Sequence, residues 1–392
     1  MRYDFDHVPD RRPTDSTKWN TYAADVLPLW VADMDFPVAE PILQALKTRI
    51  EHGIFGYPDT HPKPGTVSEL QQVLVDRMQR LYNWQVAPEE LVFLPGVIVG
   101  LNLTCHAAAK PGGEVLVQTP VYPPFLSTPA NASMQRRDAL LCRESDGHYE
   151  IDWQVFEAGF TEQTRVFILC NPHNPVGRVY GKDQLERMAE ICLRKGVLIC
   201  SDEIHCDILF KGQKHIPIAS LDKEISRNTV TLMSPTKTFN IAGLQCSFAI
   251  VQDKELRLKL EQSKKGLVMW ANLIGLTATL SAYRDGQEWL DQVLEYLEDN
   301  RDFVYEYVQA NLPQLQMVKP EGTYLAWLDC RKTGIQGNPC EFFIKEAGVA
   351  LNDGASFGKG GEGYVRLNFA CTRDILTQAL ERMKAALQKI PG

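Results

Sequence analysis

Short, nearly uninterrupted apolar runs recur through the first two thirds of the chain: Leu91–Leu94, Glu114–Gln118, Arg165–Cys170, Val197–Cys200 and Thr229–Met233. Runs of this kind lack the in–out alternation of a half-exposed strand, so they predict strands covered on both faces. Between them the period changes. Lys182–Lys195 carries Leu185, Met188, Ala189 and Cys192 at helical spacing and stops at Gly196, the pattern of an amphipathic crossover helix. Strand and helix signals alternate from about Arg49 to Ser281, which predicts a mostly parallel sheet between helical layers. A long helix over Gln287–Val308, with Leu290, Val293, Leu294, Leu297, Phe303 and Val304 on one face, then leads into a second unit. There, strands at Thr323–Leu328 and Val365–Phe369 and helices at Glu341–Ala347 and Arg373–Gln388 read as α+β. The expectation is an α/β protein with a large domain over 49–285 and a smaller one from 1–48 and 286–392. Gly354, Gly358, Gly360, Gly361 and Gly363 read as a flexible loop, either a plain surface loop or an active-site lid.

Polar residues cluster where these runs end. Thr229–Met233 runs into Ser234-Pro235-Thr236-Lys237, so Lys237 is either a solvated loop lysine or an amine placed to form an imine, which requires a depressed pKa. Val197–Cys200 leads to Asp202, either a turn acid or a carboxylate partner for a protonated pyridine nitrogen. Arg165–Cys170 opens into Asn171-Pro172-His173-Asn174-Pro175, where each proline holds the preceding asparagine extended; Asn174 is then a turn residue or a hydrogen-bonding partner for a ring oxygen. Leu91–Leu94 passes through Pro95-Gly96 into a helix whose free N–H groups suit a phosphate. Tyr122, in a proline-stiffened loop, is a buried aromatic or a ring-stacking one.

The ordered set Pro95-Gly96, Tyr122, Asn174-Pro175, Asp202, Ser234-Pro235-Thr236-Lys237 and Arg366 resembles the aspartate aminotransferase-like, fold type I enzymes that use pyridoxal 5'-phosphate. Leu27–Pro37, Asn171–Gly177 and Ser234–Gln245 are similar to the MalY/PatB-type cystathionine β-lyases, and the likeness spans essentially the whole chain. The resemblance implies that Lys237 is the catalytic lysine and Asp202 the pyridine-nitrogen partner. It implies that Asn174 and His205 face the ring oxygen, that Tyr122 stacks on the ring, and that Ser234 and the backbone at Gly96, Val97 and Ile98 hold the phosphate. Tyr57 would reach the phosphate of a partner subunit, Arg366 would clamp the substrate α-carboxylate, and Trp30 and Asp33 would shape the substrate pocket. Where aminotransferases often carry a phosphate-binding arginine, this chain has Gln245, which favours the lyase branch.

Composition narrows the rest. A net charge of −8 and the lack of a dense basic run argue against nucleic acid, and no apolar stretch approaches membrane-spanning length. None of the ten cysteines forms a C-x-x-C pair, and those in apolar runs read as buried thiols in a reducing, cytoplasmic setting rather than as metal ligands. The expected activity is β-elimination from cystathionine or another S-substituted cysteine by a homodimer with shared active sites. An aminotransferase, or a pyridoxal-binding protein with a regulatory role, are the alternatives.

Overall fold

The computed structural model describes residues 2–58 and 65–390. Its main sheet has seven strands in the order Leu91–Leu94, Ser247–Ile250, Thr229–Met233, Leu198–Asp202, Thr164–Cys170, Glu114–Thr119 and Gln135–Leu140. Ser247–Ile250 runs antiparallel to both neighbours, and the remaining pairs are parallel. The apolar runs have their physical reason here. In Thr164–Cys170, Val166, Ile168 and Cys170 enter one core with Val117, Cys200 and Leu232, while Phe167 and Leu169 enter the opposite core with Phe156, Leu185 and Ile199. Both faces are dry, so period-two alternation carries no polar residues.

The carboxyl ends of the parallel strands converge beside the helix Val97–Ala108. Gly100 lets this helix lie against the Thr229–Met233 strand: a Cβ there would sit 2.5 Å from Leu232. Close approach fixes the helix N-terminus near the strand ends, where Asp202 and the Ser234 turn emerge.

The second sheet is antiparallel, in the order Gln316–Met317, Leu325–Asp329, Tyr364–Asn368 and Asn352–Asp353. The N-terminal segment adds to this unit, with Leu27–Pro28 pairing in parallel with Val349–Ala350 and Asp35 N–H donating to Ala370. The helix Glu40–Glu51, in contrast, packs against the helix Leu273–Asp285. The long helix extends over Gln287–Asn311, and one apolar core joins Leu29, Phe36, Trp289, Leu325, Leu367 and Phe369. Among the described residues no helix is long and apolar enough to cross a membrane.

Two expectations change. The segment read as one helix over Glu341–Ala347 starts earlier, at Pro339 behind an Asn338 cap, and ends as a π-turn over Phe343–Ala347. The glycine run before Arg366 is not an open lid. Gly354 and Gly361 bring their backbones together so closely that a Cβ on Gly354 would lie 2.3 Å from the Gly361 carbonyl, and Phe357 between them is fully buried. Gly354 and Gly361 answer a demand for close packing, while Gly358, Gly360 and Gly363 take φ of 84°, 89° and 80°, the left-handed backbone that glycine adopts without strain.

Candidate active site

Lys237 sits on a single capped turn, Pro235–Thr238, immediately after the Thr229–Met233 strand. Ser234 caps it: its hydroxyl accepts Thr236 N–H at 3.2 Å and donates to the Cys246 carbonyl at 2.8 Å. Lys237 Nζ donates to the Ala32 carbonyl at 2.6 Å. Burial first, and the Arg366 guanidinium second, pull its pKa down to about 8 against the opposing pull of Asp33 and Asp202. A free amine is therefore within reach near neutral pH.

Asp202 ends its strand almost completely buried. Among the described residues its carboxylate takes one hydrogen bond, from Ile204 N–H at 3.0 Å, and no ion pair. Burial pushes its pKa up to about 7, with Glu203 adding and the Ile204 N–H and Lys237 opposing. A cationic N–H placed against it would bring that value back down. His205 is buried too, and its Nδ1 has no hydrogen-bond partner among the described residues. Burial, then Lys237 and Arg366, hold its pKa well below the ordinary imidazole value, so the ring is neutral with an idle nitrogen. Asn174 is held from both sides, its carbonyl accepting Tyr122 N–H at 3.1 Å and its Oδ1 accepting Arg366 Nη1 at 3.0 Å. Both Asn-Pro bonds of this loop are cis.

Arg366 lies on the inner Tyr364–Asn368 strand, stacked over Phe357 at 5.0 Å. Its Nη2 donates to the Trp30 carbonyl at 2.9 Å and to Asn352 Oδ1 at 2.5 Å, while Nε is buried without a partner among the described residues. Burial lowers its pKa to about 10, where it remains charged at neutral pH.

The same grip extends along residues 30–36. Asn368 Nδ2 donates to the Val31 and Asp33 carbonyls at 2.6 and 2.7 Å. Asn240 accepts Met34 N–H at 3.0 Å and donates to the Met34 and Phe36 carbonyls at 3.0 and 2.8 Å. Tyr324, whose ring meets His205 edge-on, donates its hydroxyl to the Ala32 carbonyl at 2.9 Å, the acceptor Lys237 also uses. The residue before it, Thr323, is buried at a φ of 69°, strained backbone for a β-branched side chain.

Lys237, Asp202, Arg366, Asp33 and Tyr122 are electrostatically coupled, and Asn174 and the Trp30 carbonyl join them through Arg366. Asp33 is already paired with Arg11 at 2.7 Å, so its carboxylate is committed to the protein. Gly96 caps the Val97–Ala108 helix with open space around its α-carbon, Val97 is buried and Ile98 exposed. Gln245 lies at the surface with φ 49°. Tyr57 stands outside the cluster: it is 88% exposed and meets Trp270 edge-on at 5.2 Å. Tyr324, Asn240 and Asn368 are the residues sequence reasoning did not assign, since each acts on a backbone carbonyl distant along the chain.

The unpaired buried Asp202, the idle His205 nitrogen, the low-pKa lysine and the uncrowded helix N-terminus fit a pyridine ring bearing a phosphate. The comparisons agree. The model of the aminotransferase class I and II family matches residues 24–383. Cystathionine beta-lyase PatB of Bacillus subtilis is 40% identical over 98% of this chain and 99% of its own. The PLP-bound C-S lyase from Staphylococcus hominis is 33% identical with a TM-score of 0.92, covering 99% of both chains. Cystalysin from Treponema denticola, whose structure contains a pyridoxal 5'-phosphate cofactor, is 29% identical with a TM-score of 0.94, covering 100% of both.

Proposed function

We propose, on the premise that this chain belongs to the aminotransferase class I and II family and stands with its PatB- and MalY-like members, that it is a pyridoxal-phosphate-dependent carbon–sulfur lyase. It would release a thiol, pyruvate and ammonia from cystathionine or another S-substituted cysteine. The observation that carries this reading is the buried carboxylate of Asp202, without an ion pair among the described residues, within electrostatic reach of a lysine whose pKa is about 8.

When bound, the cofactor supplies an electron sink for the charge left on the substrate α-carbon. Asp202 keeps the ring nitrogen protonated. Asn174 and the neutral His205 bond the ring oxygen, Tyr122 stacks on the ring, and the backbone at Gly96, Val97 and Ile98 receives the phosphate at the helix N-terminus. Ser234, whose hydroxyl caps the lysine turn, adds a phosphate contact by reorienting. Lys237 Nζ, released from the Ala32 carbonyl, removes the α-proton and can return it. Arg366 Nη2 exchanges the Trp30 and Asn352 oxygens for the substrate carboxylate, and Nε, without a partner among the described residues, supplies the second donor of a bidentate match. Trp30 and Asp33 border this clamp, Asp33 chiefly by holding Arg11.

Elimination and transamination diverge only after the α-proton leaves. The neutral Gln245 and the likeness to lyases favour elimination. The test is to supply cystathionine without a 2-oxo acid: pyruvate and free thiol should form in equal amounts. Conversion that begins only when a 2-oxo acid is added would make the protein an aminotransferase.

The partner is a second copy. Ile54, Phe55 and Tyr57 are exposed together with Leu267 and Met269, and Tyr57 contacts Trp270 across the two segments, an apolar patch suited to burial in a dimer. Tyr57 would then serve the neighbouring site. Inactive Tyr57→Phe and Lys237→Ala subunits, mixed and allowed to exchange, should regain activity, because one hybrid site carries both intact residues. The division into 49–285 and 1–48 with 286–392 remains the proposed domain plan, and ten free cysteines, nine of them buried, suit the cytoplasm.

A further inference from the structure

A cavity of about 290 Å³ is lined by residues other than Lys237, Asp202, Asn174 and Arg366. One wall is the hairpin around Arg143–Tyr149 and the turn Val176–Arg178 that follows the Asn174-Pro175 loop; the other comes from the long helix and the second sheet. It thus bridges the two parts of the chain that carry Asn174 and Arg366, the kind of junction where small ligands bind. Its charges balance: Arg143, Arg178 and Lys319 face it together with Asp146, Glu321 and Asp329. Tyr149, Tyr305, Trp327 and Tyr364 supply aromatic surface.

Several of these groups are already engaged. Arg143 reaches Asp329 at 3.3 Å and Gln316 at 3.0 Å, and Glu321 accepts Val179 N–H at 2.7 Å. Arg178 is engaged at its outer nitrogens, Nη1 with Glu150 and the Tyr149 carbonyl and Nη2 with Gln184 Oε1 at 3.2 Å. Its Nε pairs with Glu321 only at 3.8 Å and makes no hydrogen bond among the described residues, so this one buried N–H can still take an acceptor. The cavity's wall also runs to the carboxylate clamp. Tyr364 and Trp327 stack at 5.0 Å, Trp327 meets Phe357 at 5.3 Å, and Phe357 lies under Arg366 at 5.0 Å.

We propose that this cavity is a second small-molecule site, separate from the lysine pocket, and that it takes a zwitterionic α-amino acid with an apolar side chain. A bare anion would face three carboxylates and a bare cation three basic groups, whereas a zwitterion satisfies both sets and lays its side chain on the aromatic wall. The cavity, about 290 Å³, has room for one amino acid.

The test is calorimetric titration of Arg366→Ala holoenzyme treated with borohydride, so that the cofactor is tied to Lys237 and cannot exchange with an amino acid's amine, and the carboxylate clamp is removed; loss of the visible band shows independently that the reduction worked. L-Methionine, N-acetyl-L-methionine and L-methionine methyl ester serve as zwitterionic, anionic and cationic probes. One methionine should bind per chain, at least tenfold more tightly than either blocked form. Gln309→Trp, an exposed helix position at the cavity wall and outside the catalytic cluster, should weaken methionine binding at least tenfold while leaving turnover of cystathionine by the untreated enzyme unchanged. Equal binding of the three probes, no binding of methionine, or methionine binding untouched by Gln309→Trp would each overturn the proposal.

Discussion

The two sides of the lysine pocket are built on opposite terms. On the strand-end side, Asp202 is buried with a single hydrogen bond and no ion pair among the described residues, and His205 Nδ1 has no partner among them. On the facing side, the carbonyls of Trp30, Val31, Ala32, Asp33, Met34 and Phe36 are all taken by side chains, Arg366 and Lys237 among them. Buried polar groups are costly when unpaired, so the first side is a standing demand for a ligand. The second side is satisfied and must trade one partner for another. Cofactor affinity should therefore depend on the strand-end residues, and substrate handling on how readily the 30–36 grip is exchanged.

The largest effect expected is that of Lys237→Ala, which removes the amine whose pKa is held at about 8. Turnover should fall by at least roughly 10³-fold, and the visible band of the lysine-linked cofactor should vanish. A variant that retained both would end the assignment of the pocket.

Asp202→Asn should follow, slowing turnover by about 10²-fold or more, because a neutral amide cannot hold the ring nitrogen's proton. The apoenzyme gives a second reading of the same group. Its pKa rises from 3.8 to about 7 on folding, so the protonated carboxyl stabilises the fold fully below pH 4. That contribution is lost as the pH climbs towards 7. Thermal stability of the cofactor-free wild type should decline across this window, and the Asp202→Asn protein should lack the decline; parallel pH curves would show that the carboxylate is not the strained group described.

Across the pocket, Arg366→Ala should act on substrate rather than on cofactor. Loss of a charge-assisted pair of hydrogen bonds should lower kcat/KM by about 10- to 100-fold, mostly through KM, with the visible band of the bound cofactor retained. If instead kcat alone fell and the cofactor band were lost, Arg366 would belong to the cofactor side and the contrast between the two walls would be wrong.

The two walls also differ in how legible they were. Lys237, Asp202 and Asn174 each follow a largely apolar run, and parallel strands bring such ends to one edge, so these strands and their candidate chemistry could be read together, whereas the strand order and the strands Gln135–Leu140 and Ser247–Ile250 were not read. The facing wall depends on contacts between distant segments: Asn240 reaches Met34 and Asn368 reaches Val31, pairings that no local periodicity encodes. Tyr324 looked like one more aromatic in a strand. Gly354 and Gly361 suggested freedom because composition reports what a backbone permits and not what its neighbours require. Tyr57 was legible as an exception, an aromatic in a Gly-Tyr-Pro loop, and it is indeed exposed.

The smallest effect should come from Tyr324→Phe, and it bears most directly on how the walls communicate. The Ala32 carbonyl accepts from Tyr324 at 2.9 Å and from Lys237 at 2.6 Å. Without the hydroxyl, the carbonyl serves the lysine alone and binds its ammonium form more strongly, so the amine's pKa should rise from about 8. Only the unprotonated amine captures the cofactor, which means capture by apoenzyme should accelerate as pH rises through that value. In the variant the midpoint should move upward by about half a unit, the equivalent of roughly 0.7 kcal/mol and in keeping with one neutral hydrogen bond. Turnover at neutral pH should drop only a few-fold. A hydroxyl that merely filled space would leave the midpoint where it was, and rapid-mixing measurements of cofactor capture between pH 6.5 and 9.5 on both proteins distinguish the two cases.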